Sequence, residues 1–251
     1  MSRTPALRRG LGLALAAFAA AALTVIARAP ASWIGDRLQS QGRLRLVDAR
    51  GTVWEGSAML ALSDGRQAVL IPGRIAWKLG AAAILLGGVD ARVSHPALSA
   101  PVELALGAGS LALKSGRAEL PAAILAALGA PFNTVRPGGS LDLRWTDIEI
   151  RNGAMAGRLE IEWREAQSAL STVAPLGTYR LQVAPAGGAV RVQLDTLRGP
   201  LRLQGNGTLK GGRLSFRGVA SADSDMRPAL SGLIGVLGPR SGDNALLVLE
   251  T

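Results

Sequence analysis

Few side chains in this chain are of the types that carry out catalysis or hold metals. Its 251 residues include no cysteine and a single histidine, His95. One histidine without cysteine cannot build a histidine–cysteine zinc site, and no dense acidic cluster offers oxygen ligands instead. A serine–histidine–acid triad would need His95, but no Gly-x-Ser-x-Gly turn is present to hold the serine. We therefore interpret His95, which precedes Pro96, as a surface residue beside a turn.

Two other chemical interpretations also fail on spacing. A serine–lysine dyad would have to use one of only three lysines, all of which lie in predicted strands or turns. The glycine-rich residues 205–212 (GNGTLKGG) lack both the dinucleotide-binding spacing and the Gly-Lys-Ser/Thr ending of a phosphate-binding loop, and no helix follows them. A hairpin turn explains this segment better. The sequence therefore predicts a protein that is not an enzyme, with no catalytic, cofactor-binding or metal-binding residues.

The chain is strongly basic, with 28 lysines and arginines and a net charge of +10. Such a charge invites nucleic-acid binding, but the arginines alternate singly with apolar residues and do not form runs. One tyrosine and three phenylalanines leave few surfaces for bases to stack on. We therefore predict no nucleic-acid partner. An arginine-bearing sheet that faces anionic lipid headgroups or an acidic protein fits the pattern better.

The N-terminal segment has the pattern of a membrane anchor. Three arginines precede an uncharged run of 18 residues, 10–27, which ends before Arg28 and Pro30. This length is at the lower edge of a membrane span and exceeds that of a usual signal-peptide core. Positive charge before the span favours a cytoplasmic N-terminus and export of the rest. A cleaved signal peptide is the alternative, because residues 27–29 (ARA) resemble a cleavage site; both interpretations place the body outside the cytoplasm.

Beyond this anchor, alternating polar and apolar residues predict β-strands. Residues 158–164 (RLEIEWR) alternate without interruption, as in a strand with one wet face. Asp64-Gly65 and Asn152-Gly153 have the sequence of two-residue hairpin turns, and further glycine turns separate the other strands. No linker divides the body. We therefore expect one domain over residues 31–251, made of consecutive antiparallel hairpins.

Three segments have helical spacing instead: residues 79–86, 120–128 and 226–237. The last is the clearest, with Asp225 as the expected N-cap and Gly238-Pro239 at its end. Such apolar stripes usually cover a sheet, although a partner groove is the alternative. The expected fold is mainly β: an N-terminal transmembrane helix, then a curved antiparallel sheet with two or three short covering helices.

The hairpin at Asn152-Gly153 also predicts its own register. Simple pairing about this turn would set Trp145 against Glu160, an apolar residue against an acid. One extra residue at Thr146-Asp147, a β-bulge, removes this mismatch. The pairs then become Trp145 with Leu159, Leu143 with Ile161, and Leu141 with Trp163. Their side chains share the core face, and four charged residues share the solvent face: Asp142, Arg144, Glu160 and Glu162.

Eight short segments carry a resemblance to a known family. In chain order they are residues 51–56 (GTVWEG), 75–77 (IAW), 136–143 (RPGGSLDL), 163–166 (WREA), 175–179 (PLGTY), 196–201 (TLRGPL), 205–207 (GNG) and 216–220 (FRGVA). Together they resemble the type II secretion system protein N family (general secretion pathway protein N, GspN). The resemblance spans essentially the whole chain, including the N-terminal anchor.

The resemblance implies a single-pass protein of the bacterial inner membrane with most of the chain in the periplasm. Residues 1–30 would form the cytoplasmic tip and transmembrane anchor, and residues 31–251 the periplasmic β-rich domain. Members are non-enzymatic accessories of the machine that exports folded proteins across the outer membrane. The implied partners are the machine's inner-membrane components and the lipid bilayer, with no small-molecule cofactor. The alternative is a periplasmic lipid-handling or lipid-transfer protein of AsmA-like type, because helices or acyl chains could cover an apolar sheet face.

Overall fold

The computed structural model describes residues 28–33, 44–63, 68–80, 87–130 and 132–250. They form one open antiparallel sheet of 15 strands, which confirms the prediction of a mainly β fold. In chain order the strands are β1 (Leu44–Gly51), β2 (Glu55–Ser63), β3 (Ala68–Gly80), β4 (Val89–Ser94), β5 (Val102–Gly107), β6 (Ser110–Leu113), β7 (Gly116–Pro121), β8 (Pro137–Arg151), β9 (Ala154–Ser168), β10 (Gly177–Ala186), β11 (Ala189–Arg198), β12 (Leu201–Lys210), β13 (Arg213–Ala222), β14 (Arg240–Ser241) and β15 (Asn244–Glu250).

Most strands pair with the next strand along the chain, as consecutive hairpins require. There are two exceptions. Strand β8 pairs with β6 through residues 148–151 and with β7 through residues 140–145, and β15 lies between β13 and β14. The tight turns are glycine-rich because their residues take positive φ. Asn152-Gly153 has φ values of 50° and 82°, and Gly211-Gly212 has values of 58° and 80°. The predicted turn at Asp64-Gly65 lies outside the described residues.

The predicted register of the β8–β9 hairpin is confirmed. Leu141 pairs with Trp163, Leu143 with Ile161 and Trp145 with Leu159, and the register shifts by one residue between Thr146 and Glu149. Asp147 in this bulge has a φ of 25°, and Gly157 opposite it has a φ of 86°. The bulge keeps the apolar side chains of both strands on one face of the sheet.

The C-terminal helix covers the sheet as predicted. Helix α2 (Arg227–Leu237), which is preceded by a 3₁₀ turn over Ser224–Met226, contacts β13 and β15. It buries Leu230, Leu233 and Ile234 in the largest apolar cluster, together with Tyr179 and Leu201. Two details of the prediction were wrong. Asp225 lies in the 3₁₀ turn and does not cap the helix, and Met226 remains 42% exposed because the α-helix begins only after it.

The other two predicted helices differ from expectation. Leu120 lies in β7, and a 3₁₀ helix follows over Ala122–Leu128, next to the short helix α1 (Phe132–Val135). In this helix Ala122 and Ala127 are buried and Leu128 is 48% exposed, so the predicted stripe of leucines does not form its buried side. Of residues 79–86, the first two end β3 and the others lie outside the described residues.

One face of the sheet is apolar along its whole length. Three clusters lie on it, centred on Trp77, Trp145 and the inner face of α2. The 3₁₀ helix contacts β8 and also β2 and β3, which are several strands away in the sheet, and this indicates that the sheet curves toward that helix. The opposite face, called here the polar face, carries most of the charged side chains.

The expected anchor, residues 10–27, lies outside the described residues. Within the described ranges, no helix has both the length and the apolar composition that crossing a bilayer requires.

Candidate functional site

A groove of about 710 Å³ lies on the polar face over β11, β12 and β13. We call it the polar groove. Two rows of directly opposed residues line it: Gln193, Asn206 and Arg217 in one row, and Arg191, Thr208 and Ser215 in the next. The strand alternation dictates this arrangement, because every second residue of these strands is polar and points to the same face.

Two glycines under the polar groove allow neighbouring groups to pack closely, because a side chain at either position would clash with them. A Cβ atom on Gly205 would lie 2.5 Å from the ring of Phe216, which is buried on the apolar face. Gly207 is similarly crowded by Phe216 and the backbone of Ser215. The glycine-rich segment is therefore mainly strand: only Gly211-Gly212 forms the hairpin turn that the sequence predicted for the whole run.

The polar groove offers hydrogen-bond donors and acceptors from amide, hydroxyl, carboxylate and guanidinium groups. Asp195 is the one carboxylate of the groove lining, and it accepts a hydrogen bond of 2.9 Å from Gln193. Arg217 lies 3.9 Å from Glu250 in a pair that is largely exposed. Such a surface can bind a polar or extended partner through amides, hydroxyls and guanidinium groups.

A second groove of about 420 Å³ lies over β2, β3 and β4. Two cations of this groove are paired with acids: Lys78 lies 3.6 Å from Glu55, and Arg92 lies 2.6 Å from Glu103 on the neighbouring strand β5. Its charges therefore neutralise each other. The polar groove, in which Arg191 has no ion-pair partner among the described residues, is the better candidate for binding a partner.

The most heavily buried charge of the described residues is Asp142, which the sequence placed on the solvent face. It does lie on the predicted face, opposite the core, beside Glu162. Its exposure to solvent was wrongly predicted, because its side chain is 0% exposed under three arginines. Its Oδ2 atom accepts hydrogen bonds from Arg117, from Arg164 at 2.5 Å and from Arg144 at 3.3 Å. Its Oδ1 atom has no hydrogen-bond partner among the described residues. We call these four residues the Asp142 cluster.

The Asp142 cluster extends into a network of charges. Arg164 also donates a 3.0 Å hydrogen bond to Glu162, and this bond, together with the charge of Asp142, raises the pKa of Arg164. Sequence reasoning missed the cluster because Arg117 reaches Asp142 only through the pairing of β7 with β8. The sequence did contain one indication of the cluster: in the predicted hairpin, Asp142, Glu162 and Arg164 lie on the same face of the sheet.

His95 makes local contacts beside a turn. Its Nδ1 atom accepts a hydrogen bond of 3.0 Å from the backbone N–H of Ala97, and Pro96 and Gly73 pack around the ring. Burial lowers the pKa of His95, and its Nε2 atom has no partner in the described part of the chain. Nor do three carboxylate or imidazole side chains of that part come together as metal ligands would.

His95→Ala should therefore leave the biological activity of the chain unchanged, because the ring touches no second reactive group. The measurement is the activity of the variant in the native host, beside its melting temperature. A variant that folds normally but loses activity would contradict this expectation.

Comparison with known proteins gives one clear relationship. No curated protein and no solved structure matches the chain. A model of the family described as type II secretion system (T2SS), protein N, matches residues 42–248. This range covers nearly the whole described sheet, from before β1 into β15. The chain belongs to the type II secretion system protein N family.

Proposed function

We propose that this component of the type II secretion system is a non-enzymatic accessory that supports export of folded proteins across the outer membrane. The N-terminal segment anchors it in the inner membrane, and the sheet lies in the periplasm. The family match over residues 42–248 carries this proposal. The single histidine, the absence of cysteine and the structural role of His95 agree with a role in binding.

The polar groove is the surface that we assign to partners within the machine. It lies on the face that α2 leaves open, and its rows of amide, hydroxyl and guanidinium groups suit a polar protein surface. Its partners are the inner-membrane components of the secretion machine. Asn206 is exposed in the middle strand of the groove.

Site-specific photo-crosslinking in the native host tests this assignment. A photoreactive residue at Asn206 should crosslink to inner-membrane components of the machine, and loss of the chain should reduce secretion. Ser231, exposed on the outer side of α2, is the matched control and should give no such product. Normal secretion without the chain, or equal crosslinking from both positions, would contradict the proposal.

A second candidate function has one observation in its favour. On the apolar face, the side chains between the clusters are only half-buried, among them Leu181, Val183 and Val192. An acyl chain could cover such a surface, as a lipid-handling protein of AsmA-like type requires. A photoreactive residue at Val192 distinguishes the two functions: lipid adducts there, with no protein adducts at Asn206, would favour lipid handling.

The N-terminal segment should be retained in the mature protein as a membrane anchor. The length of the uncharged run over residues 10–27 and Pro30 just after the candidate cleavage site motivate this expectation. Intact-mass measurement of the protein extracted from membranes decides the matter, and carbonate washing should leave the protein in the membrane pellet. A mature N-terminus near residue 30 would overturn the anchor.

A further inference from the structure

Four exposed cations of the polar face lie at one end of the strands. They are Arg158, Arg191, Lys210 and Arg213, and together we call them the basic edge. The turns Asn152-Gly153 and Gly211-Gly212 close hairpins at this same end. None of the four has an ion-pair partner among the residues that the structure describes. Two carboxylates near this end, Glu149 and Glu250, already pair with Arg151 and Arg217.

The opposite end of the same strands is arranged differently. There the arginines are matched with acids: Arg198 lies 2.5 Å from Glu165, and Arg202 lies 2.9 Å from Asp223. The Asp142 cluster joins three more arginines to a single carboxylate. Within strands β9 to β13, the described cations without an ion-pair partner therefore all lie at the end that carries the glycine turns, and an anionic partner would complement them.

The basic edge has exposed apolar side chains behind it, on the other face of the sheet. Leu106, Ile150, Leu209 and Leu249 lie near the same strand ends and are 37–47% exposed. Their strand partners place them on the apolar face: Ile150 pairs with Leu111, and Leu249 with the buried Phe216. Cations beside exposed aliphatic side chains at the rim of a fold match the two layers of a membrane interface, headgroups and acyl chains.

The chain enters the sheet at this end too. Pro30 forms a bridge with Thr52, and the N–H of Ala31 donates a 3.1 Å hydrogen bond to Gly51, the last residue of β1. Following the antiparallel pairs from β1 to β8 places Gly51, Gly80 and Arg151 at the same end of the sheet. The segment that follows the proposed anchor therefore meets the sheet at the end that carries the basic edge.

We infer that the end of the sheet formed by the basic edge and its neighbouring leucines docks on the surface of an anionic lipid bilayer. The cations contact lipid phosphates, and the leucines enter the boundary between headgroups and acyl chains. This contact holds the strands upright on the membrane. Arg191 then lies at the lipid, and the row of Gln193, Asn206 and Arg217 in the polar groove lies above it. Each cation strengthens binding to an anionic surface about fivefold. Removing three of the four cations should therefore weaken this binding by on the order of a hundredfold.

The test uses the full chain in vesicles, and the absence of cysteine makes single labelling simple. A fluorophore on L209C, beside the basic edge, is compared with the same fluorophore on L197C at the opposite end; the two leucines are 37% and 41% exposed. The vesicles contain phosphatidylethanolamine and phosphatidylglycerol, or phosphatidylcholine alone, with a nitroxide lipid as quencher. We expect the lipid to quench L209C in anionic vesicles only, and L197C in neither.

Charge variants complete the experiment. R158Q/K210Q/R213Q spares Arg191, which lines the polar groove, and should reduce the quenching of L209C to the level of L197C, as should high salt. The matched control R198Q/R202Q/R240Q removes three arginines at the other end and should leave the quenching unchanged. Three results would overturn the inference: equal quenching in both vesicle types, equal effects of the two triple variants, or an unquenched L209C. If L209C were unquenched and the edge crosslinked to an acidic protein, the edge would be assigned to that protein.

The two proposals fail separately in this design. Flotation of the protein with neutral vesicles reports the anchor, which needs no anionic lipid. Quenching that depends on phosphatidylglycerol reports the basic edge. A chain without an anchor would still bind anionic vesicles through the edge, and an anchored chain without edge contact would float with L209C unquenched.

Discussion

Asp142→Ala should lower the free energy of unfolding by about 3 kcal/mol. Removing one partner of a buried ion pair costs about 3–5 kcal/mol, because the remaining charges lose their compensation. The lower end applies here, since the side chains of Arg117, Arg144 and Arg164 are 47%, 46% and 33% exposed and water can reach them. Urea unfolding followed by circular dichroism measures the change.

Asp223→Ala is the matched control for this variant. Asp223 pairs with Arg202 at 2.9 Å, but both side chains are 46% exposed, so the loss should be below about 1 kcal/mol. Asp142→Asn keeps the shape of the side chain and should lie between the two. If Asp142→Ala were as stable as Asp223→Ala, the Asp142 carboxylate would not stabilise the fold by compensating the charge of the three arginines.

Gly157→Ala should strongly destabilise the β8–β9 hairpin. A Cβ atom at Gly157 would overlap the carbonyl oxygens of Thr146 and Asp147 in the bulge opposite. Positive φ alone costs alanine about 1 kcal/mol, and overpacking against the backbone adds about 1–3 kcal/mol. We therefore expect a loss of about 2–4 kcal/mol in the free energy of unfolding.

Gly153→Ala separates these two causes. Gly153 has a φ of 82°, close to the 86° of Gly157, but nothing lies within 4 Å of the position its Cβ would take. Its loss should therefore be only about 1 kcal/mol, from backbone strain. Equal losses for the two variants, measured by thermal unfolding, would mean that the bulge yields to the added methyl group.

The sequence predicted the hairpin register because two independent signals agreed. An Asn-Gly pair locates a two-residue turn, and the alternation of apolar residues must stay in phase across both strands. Only an extra residue near Thr146 satisfies both conditions, and the structure has it there. The type of a short helix was harder to predict. Residues 122–128 have a helical pattern, but sequence spacing does not distinguish a 3₁₀ helix from an α-helix.

Contacts between distant segments could not be predicted from sequence. Asp142 looks solvent-facing in its own hairpin, since its neighbours across the strands are also charged. It becomes buried because β7, which is separated from β8 by two helices, returns to pair with it and brings Arg117. The basic edge has the same origin: each arginine or lysine looks ordinary in its own strand, and only the sheet shows which ones lack an acid beside them.

The pairing of most strands with their immediate predecessor has a consequence for how the fold is reached. Each new strand can dock on the one made just before it, so that loop closure stays short and the sheet can grow as the chain emerges. Among the described strands, two pair with two earlier strands at once: β8 with β6 and β7, and β15 with β13 and β14. A sheet whose strands emerge in chain order can thus form in that order, with β8 and β15 as the slowest additions.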